Sequence, residues 1–180
     1  MKIYTRAGDE GKTGLIDGSR VSKDNLRVAA YGDVDELNAV IGVVKAHSRD
    51  TSLNDLLHQV QRDLFALGAQ LADPKSKIGT KKAKAAFPPS QVKKLEKAID
   101  QRDGVLPPLT SFILPGGSPL GSFLHLARTV CRRAERTIIS LSHQEEIEPI
   151  FIVYLNRLSD LLFVLARHAN QTSEVPEDRW

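Results

Sequence analysis

Arginine side chains recur at four-residue intervals near the middle of the second half of the chain. Arg128, Arg132 and Arg136 would lie on one side of a helix, which we call the arginine face, because residues four apart are neighbours on a helix surface. Like charges at this spacing repel one another, whereas a guanidinium group can hold a phosphate through two parallel hydrogen bonds. The arginine face could therefore bind a polyanion. From this stretch alone, a solvated helix whose arginines pair with Glu135 and with more distant carboxylates explains the pattern equally well.

A glycine-rich segment, residues 6–18, is a second candidate for anion binding, and we call it the glycine loop. Its four glycines disfavour a helix, and the backbone amides of such a segment can form an anion-binding nest. Gly11-Lys12-Thr13 resembles the end of a P-loop, but Arg6 stands where that motif requires glycine, and no helix follows directly. A flexible loop without a ligand remains open as an alternative. The charged and hydroxyl side chains in and beside this loop are Thr5, Arg6, Lys12, Thr13 and Lys23.

The composition sets limits on the class of protein. With 180 residues, 41% of them hydrophobic, the chain can build one substantial core, so we predict a single domain spanning residues 1–180. A net charge of +3 is too small for the broad basic field of a dedicated nucleic-acid binder. The single cysteine, Cys131, provides neither a disulfide framework nor a zinc cluster, and the five histidines lack metal-ligand spacing. With no signal-peptide pattern and no uninterrupted apolar run of membrane length, we expect a cytoplasmic protein that binds neither nucleic acid nor membrane.

The hydrophobic pattern predicts an all-α, up-and-down bundle of five helices. A nucleotide-binding segment (residues 1–30) would precede the helical bundle (33–170), and a tail (171–180) would lie outside it. The first helix is predicted to begin at Asp33, because Asp33 followed by Glu36 resembles a capping box. The lysine-rich stretch 75–89 is predicted to be a connection. The other helices are predicted at Ser52–Ala72, Ser90–Arg102, Pro119–Ser142, which carries the arginine face, and Pro149–Asn170.

Several segments in a fixed order resemble the PduO-type ATP:cob(I)alamin adenosyltransferases. The likeness covers nearly the whole chain, and the combination of segments is highly specific. It implies a trimer of five-helix, ferritin-like bundles with an N-terminal glycine-rich ATP-binding loop and an active site between adjacent subunits. The segments are Thr5 to Thr13, Arg20 to Asp24, Ala30 to Asn38, Phe112 to Gly117, Arg128 to Arg136 and Tyr154 to Asp160.

The resemblance assigns the nucleotide-binding residues. One subunit would hold the polyphosphate of ATP through its N-terminal segment, and the helical face of its neighbour would complete the site. Mg²⁺ would enter with the ATP. The residues implied are Thr5, Arg6, Gly8, Thr13 and Lys23 from the first subunit, and Arg132, Glu135, Arg136 and Asn156 from the second.

The resemblance also implies the residues on the cobalamin side. Phe112 would close the lower face of the corrin and displace its dimethylbenzimidazole base, with Phe163 as a second hydrophobic wall. Asp35 and Arg128 would form a salt bridge between subunits that shapes the active site. Without the resemblance, Phe112 is an ordinary loop anchor and Phe163 a core residue.

The reaction implied is transfer of the 5′-deoxyadenosyl group of ATP to the cobalt of reduced cobalamin, with release of triphosphate. A cob(II)alamin reductase and an adenosylcobalamin-dependent enzyme are possible partners. The chain departs from the family pattern at Ala7 and Gly14. Each stands where the family commonly has a residue with a side-chain hydroxyl, so each removes a potential hydrogen bond to phosphate. The alternative function is a regulatory helical bundle that binds ATP without transferring its adenosyl group.

Overall fold

The computed structural model describes residues 3–4, 6–74 and 87–180, and within them the chain forms five helices and one short antiparallel hairpin. The predicted all-α class and the number of helices are confirmed. The helices are α1 (Leu26–Ala46), α2 (Thr51–Leu71), α3 (Ser90–Asp103), α4 (Pro119–Ser142) and α5 (Pro149–Thr172). The hairpin strands are β1 (Lys12–Gly14) and β2 (Arg20–Ser22), with Thr13 opposite Val21.

The start of α1 differs from the prediction by two turns. The helix begins after Asn25, whose side chain accepts a hydrogen bond from the backbone N–H of Arg27 at 2.8 Å. Asp33 and Glu36 therefore lie inside the helix, where both carboxylates contact Arg133 of α4. Two acidic residues three apart fit a capping box, but they also fit an ion pair between packed helices, and the sequence pattern does not distinguish the two.

The ends of the other helices agree with the predictions to within two residues. The start of α4 is the best defined, because the Ser118 hydroxyl accepts a hydrogen bond from the Gly121 N–H at 3.1 Å and Pro119 occupies the first turn. The Asp50 side chain caps α2 in the same way through the Leu53 N–H, at 3.2 Å. The predicted connection at 75–89 lies for the most part outside the described residues.

The core is organised around α4, which packs against α1 and α5. The second helix packs on α1 and the third on α5, so the arginine-bearing helix is central to the bundle. Among the helices described, α5 is the one that is long and apolar enough to cross a membrane by length and composition, and 56% of its most apolar window is buried inside the bundle. Such burial is typical of a core helix.

One buried carboxylate joins three helices. Asp63 of α2, which is 7% exposed, accepts hydrogen bonds from Gln59 (2.8 Å), Gln91 of α3 (2.5 Å) and the Tyr154 hydroxyl of α5 (3.0 Å). Burial, together with the nearby Asp63 carboxylate, raises the pKa of Tyr154 well above its usual value, so the phenol remains a donor. The network fixes α2, α3 and α5 relative to one another.

We expect Asp63→Ala to lower the free energy of unfolding by about 3 kcal/mol, because it leaves the buried Tyr154 hydroxyl and the Gln91 amide without their acceptor. Chemical denaturation followed by circular dichroism would measure the change. Asp55→Ala, at an exposed position of the same helix, is the matched control and should alter stability by no more than about 0.5 kcal/mol. Equal midpoints for the two variants would contradict the assignment.

The hairpin is attached to the end of α2. The Ile16 N–H donates to the Ala72 carbonyl at 3.0 Å, and Leu15 donates to the Ser19 carbonyl across the turn at 2.8 Å. Gly18 adopts a φ of 88°, in the region that favours glycine. Half of the segment predicted as an irregular loop is therefore a hairpin, because its three-residue strands are too short to give a recognisable alternating pattern.

Candidate functional site

Two members of the arginine face are exposed and lie on either side of a carboxylate. Arg132 and Arg136 are exposed on α4, and Glu135 between them accepts a hydrogen bond from the Asn156 amide of α5 at 3.2 Å. No carboxylate among the described residues lies within ion-pair distance of either guanidinium group. The two arginines and the Glu135–Asn156 pair form a basic surface that is open to an external anion.

The neighbouring charged residues have structural partners. Arg133 lies off the arginine face, as the sequence predicts, and binds Asp33 and Glu36 of α1. Arg157 of α5 pairs with Glu96 of α3 at 3.1 Å and with Asp160 at 3.0 Å.

The third member of the arginine face, Arg128, lines a cavity of approximately 370 Å³. We call it the Phe112 cavity, after the side chain at its rim that is 80% exposed. The structure therefore brings together Phe112, Phe163 and Arg128, three residues that the sequence analysis places on the cobalamin side. The full lining is Leu109, Ser111, Phe112, Ile113, Pro115, His125, Arg128 and Phe163.

One side-chain nitrogen of Arg128, its Nε, is buried and lacks a hydrogen-bond partner among the described residues. Burial, and then the charge of Arg132, lowers the pKa of Arg128 from its ordinary value. Both effects disfavour the charged form of Arg128 when the chain is alone. A carboxylate or another acceptor from outside the chain would stabilise the guanidinium group.

His125 is a cavity residue that the sequence analysis does not assign. Its side chain is 3% exposed, and its ring packs edge-on against Phe163 at a centroid distance of 6.1 Å. Neither ring nitrogen has a hydrogen-bond partner among the described residues. The sequence does place His125 one turn before Arg128 on the same side of α4. The spacing of the five histidines, however, does not single it out.

The loop that carries Phe112 is fixed at its C-terminal end by Asn170 of α5. The Asn170 amide oxygen accepts hydrogen bonds from the backbone N–H of Ser118 at 2.9 Å and from its hydroxyl at 3.0 Å. The Asn170 amide nitrogen donates to the Gly116 carbonyl at 2.9 Å. Asn170 is buried, so these bonds hold the loop against the end of α5.

The C-terminal segment fixes the same loop at its other end. The Leu114 N–H donates to the Asp178 carbonyl at 2.8 Å, and the Trp180 N–H donates to the Phe112 carbonyl at 3.0 Å. Glu177 secures the segment through an ion pair with the buried Arg167 at 2.8 Å. The predicted tail is thus attached to the Phe112 loop by backbone pairing, which in such a short segment leaves no hydrophobic pattern in the sequence.

Asp35 and Arg128 are not joined within one chain. Asp35 is exposed and borders a separate groove between α1 and α2, which we call the Asp35 groove and which has a volume of approximately 340 Å³. Tyr31 and the 75%-exposed Phe65 also line it. The predicted salt bridge between these two residues would therefore need a second subunit.

The glycine loop brings together part of the predicted phosphate-binding set. A side chain at Gly8 would come within 3.2 Å of the Lys23 amine, and the Lys23 N–H donates to the Gly11 carbonyl at 2.8 Å. Thr13 lies in β1, and Arg6 has a φ of 60° with its guanidinium 5.7 Å from the Tyr4 ring centre. Thr5 lies outside the described residues. Among those that are described, no hydrogen bond or ion pair links the glycine loop to the arginine face.

Comparison with known proteins gives one consistent result. Residues 3–169 match the family described as cobalamin adenosyltransferase. The chain is 48% identical over 177 residues to a corrinoid adenosyltransferase of Mycobacterium tuberculosis, covering 97% of this chain and 91% of that protein. It is 44% identical over 179 residues to a corrinoid adenosyltransferase of Bacillus subtilis, covering 97% and 90% respectively.

Solved structures agree with the sequence relatives. A phenylalanine-to-alanine variant of a PduO-type ATP:corrinoid adenosyltransferase from Lactobacillus reuteri, complexed with cobalamin and ATP, superimposes with a TM-score of 0.92 at 39% identity. The match covers 99% of both chains. An arginine-to-lysine variant from the same organism, complexed with ATP, gives a TM-score of 0.90. By the family match, the sequence relatives and the fold, this chain belongs to the cobalamin adenosyltransferase family.

Proposed function

We propose that this protein transfers the 5′-deoxyadenosyl group of ATP to the cobalt of cob(I)alamin and releases triphosphate. One observation carries the proposal beyond family membership. A single side of α4 bears Arg128 in an aromatic-walled cavity and then, one and two turns later, the exposed Arg132 and Arg136. A site for a large flat organic ring and a site for a polyphosphate thus adjoin on one helix, as the two substrates of this reaction require.

The chemistry needs positioning and charge stabilisation more than proton transfer. An electron pair on cobalt(I) forms the bond to the ribose 5′-carbon while the bond from that carbon to the triphosphate oxygen breaks. Negative charge grows on the leaving triphosphate, and guanidinium and ammonium groups that are already oriented stabilise it. Arg132 and Arg136 on α4, with Lys23 and Arg6 on the N-terminal segment, are suited to this role. No general base is required.

The nucleotide site is proposed to contain two halves. Thr5, Arg6, Gly8, Thr13 and Lys23 of one subunit contact the phosphates, while Arg132, Glu135, Arg136 and Asn156 of its neighbour complete the nucleotide site from the helical face. Mg²⁺ enters as part of the nucleotide substrate, because one or two carboxylates with phosphate oxygens and waters suffice to hold it. Glu135 is the carboxylate on the arginine face that could contact it.

The assembly is proposed to be a homotrimer with active sites between subunits. The exposed Phe65 in the Asp35 groove and the uncompensated Arg128 in the Phe112 cavity support this arrangement, since each would gain a partner in an interface. Light scattering after size-exclusion chromatography would measure the mass, and a monomer at micromolar concentration would contradict the proposal. We also propose that the protein is cytoplasmic. It would work together with a cob(II)alamin reductase and an adenosylcobalamin-dependent enzyme.

One assay tests the reaction. The protein is mixed with ATP, Mg²⁺ and chemically reduced cobalamin in the absence of oxygen, and the visible spectrum is followed for adenosylcobalamin. We expect conversion together with release of triphosphate. Binding of ATP without conversion would instead favour the regulatory module, and it would overturn the proposed activity if the protein is folded.

We expect Asp35→Asn to raise the KM for cob(I)alamin by about 10-fold while leaving the oligomeric mass unchanged. The substitution removes the carboxylate proposed to compensate Arg128 of the neighbouring subunit, and an unpaired, partly buried charge is costly. Steady-state kinetics with saturating ATP would measure the effect. Asp55→Asn, at an exposed position of α2, is the control, and equal KM values for the two variants would contradict the pairing.

A further inference from the structure

A side chain of the hairpin reaches across the glycine loop. Arg20 is the first residue of β2, and its Nη2 donates a hydrogen bond to the backbone carbonyl of Ala7 at 2.5 Å. The same nitrogen makes a longer hydrogen bond to the Lys12 carbonyl, at 3.4 Å. A guanidinium group suits such a bridge, because it holds several N–H donors in one rigid plane and accepts no hydrogen bonds. Arg20 therefore joins the two ends of the segment 7–12.

The bridged segment is the part of the chain that is proposed to hold the phosphates of ATP. Gly8 lies within residues 7–12, whereas Arg6 and Thr13 lie immediately outside its two ends. The positions of these phosphate-binding residues depend on the path of the backbone between them. Arg20 itself is exposed and is not one of the residues assigned to the phosphates.

The backbone of this segment has a conformation that needs support from outside. Arg6 has a φ of 60°, which is uncommon for a residue other than glycine and persists where surrounding contacts hold it. The Gly11 N–H donates to the Gly8 carbonyl at 3.2 Å, but that bond is internal to the loop. The Lys23 N–H donates to the Gly11 carbonyl at 2.8 Å and attaches the C-terminal side of the segment. Arg20 attaches the opposite side, next to Arg6.

We infer that Arg20 is a positioning residue that holds the glycine loop in its phosphate-binding conformation before ATP arrives. A segment with four glycines has many accessible conformations, so ordering it at the moment of binding would weaken the affinity for ATP. A loop that is already held in shape avoids most of this loss. The inference rests on the proposed function, since it deepens the description of the nucleotide site.

Hydrogen–deuterium exchange of the Arg20→Ala protein without ATP tests the bridge directly. We expect the backbone amides of residues 6–14 to exchange about 5-fold faster than in the unmodified protein, while those of α4 are unchanged. The substitution removes an exposed side chain and leaves the core intact. Arg49→Ala, at an exposed position between α1 and α2, is the matched control. Unchanged exchange of the glycine loop in Arg20→Ala would overturn the inference.

ATP binding and turnover separate positioning from direct contact with the phosphates. We expect Arg20→Ala to raise the Kd for MgATP about 10-fold, measured by calorimetry without corrinoid, whereas Arg49→Ala leaves it unchanged. The kcat at saturating ATP and cob(I)alamin should stay within about 2-fold, because the charge on the leaving triphosphate is stabilised by other groups. A fall in kcat as large as the rise in Kd would place Arg20 on the triphosphate and overturn the positioning role.

The outcome for the bridge is distinct from the outcome for the proposed function. Neither the exchange measurement nor the calorimetric titration depends on adenosyl transfer. Failure of the unmodified protein to form adenosylcobalamin would therefore overturn the proposed function, whereas an unchanged loop and an unchanged Kd in Arg20→Ala would overturn the role of Arg20 alone.

Discussion

Phe112→Ala should lower the turnover of cobalamin by about 100-fold while leaving the KM for ATP unchanged. The phenyl ring is 80% exposed at the rim of the Phe112 cavity, so it contributes little to the core and is available to a ligand. Its proposed role is to displace the lower base of cobalamin from the cobalt. Loss of a group that positions the reacting centre commonly costs about this much in rate. Anaerobic kinetics with the visible spectrum as readout would measure it.

The choice of corrinoid makes this prediction specific. Cobinamide lacks the nucleotide base that Phe112 is proposed to displace, so the defect of Phe112→Ala should be much smaller with cobinamide than with cobalamin. Val105→Ala, at a position 62% exposed beyond α3, is a control for removing surface apolar area. An equal loss with both corrinoids would show that Phe112 acts in another way.

Gly117→Ala should lower the free energy of unfolding by about 3 kcal/mol or more, the largest effect on stability that we expect from a single methyl group. Gly117 has a φ of 105°, which L side chains rarely adopt. A Cβ atom there would also lie 2.4 Å from the Asn170 amide, so the buried bonds from Asn170 to Ser118 and Gly116 would have to break. Thermal and chemical denaturation would measure the loss.

Gly116→Ala is a matched control one residue away. No atom lies within 4 Å of a Cβ added at Gly116, and its φ is not positive, so the same added methyl group should change stability by no more than about 0.5 kcal/mol. Similar destabilisation by both substitutions would contradict the argument from Asn170. Because Asn170 fixes the Phe112 loop, Gly117→Ala should also weaken corrinoid binding in whatever fraction remains folded.

Much of the fold could be predicted from local sequence. The start of α4 at Pro119 could be predicted, because the adjacent residues Ser118 and Pro119 set the cap and the first turn. The apolar stripes of α1 and α2 identified buried helix faces because residues three and four apart share a side. The start of α1 was misplaced, since the carboxylates at Asp33 and Glu36 pair with Arg133, a residue about 100 positions away.

The candidate site divides in the same way between local and long-range information. By itself, the sequence determined that Arg128, Arg132 and Arg136 share one side of α4, because that follows from helix geometry alone. Only the tertiary structure decided that Arg128 enters the Phe112 cavity beside His125 while Arg132 and Arg136 remain exposed. It also decided that the C-terminal segment pairs with the Phe112 loop. The physical reason is that burial and pairing depend on residues brought together from distant parts of the chain, which the spacing of residues within one segment does not encode.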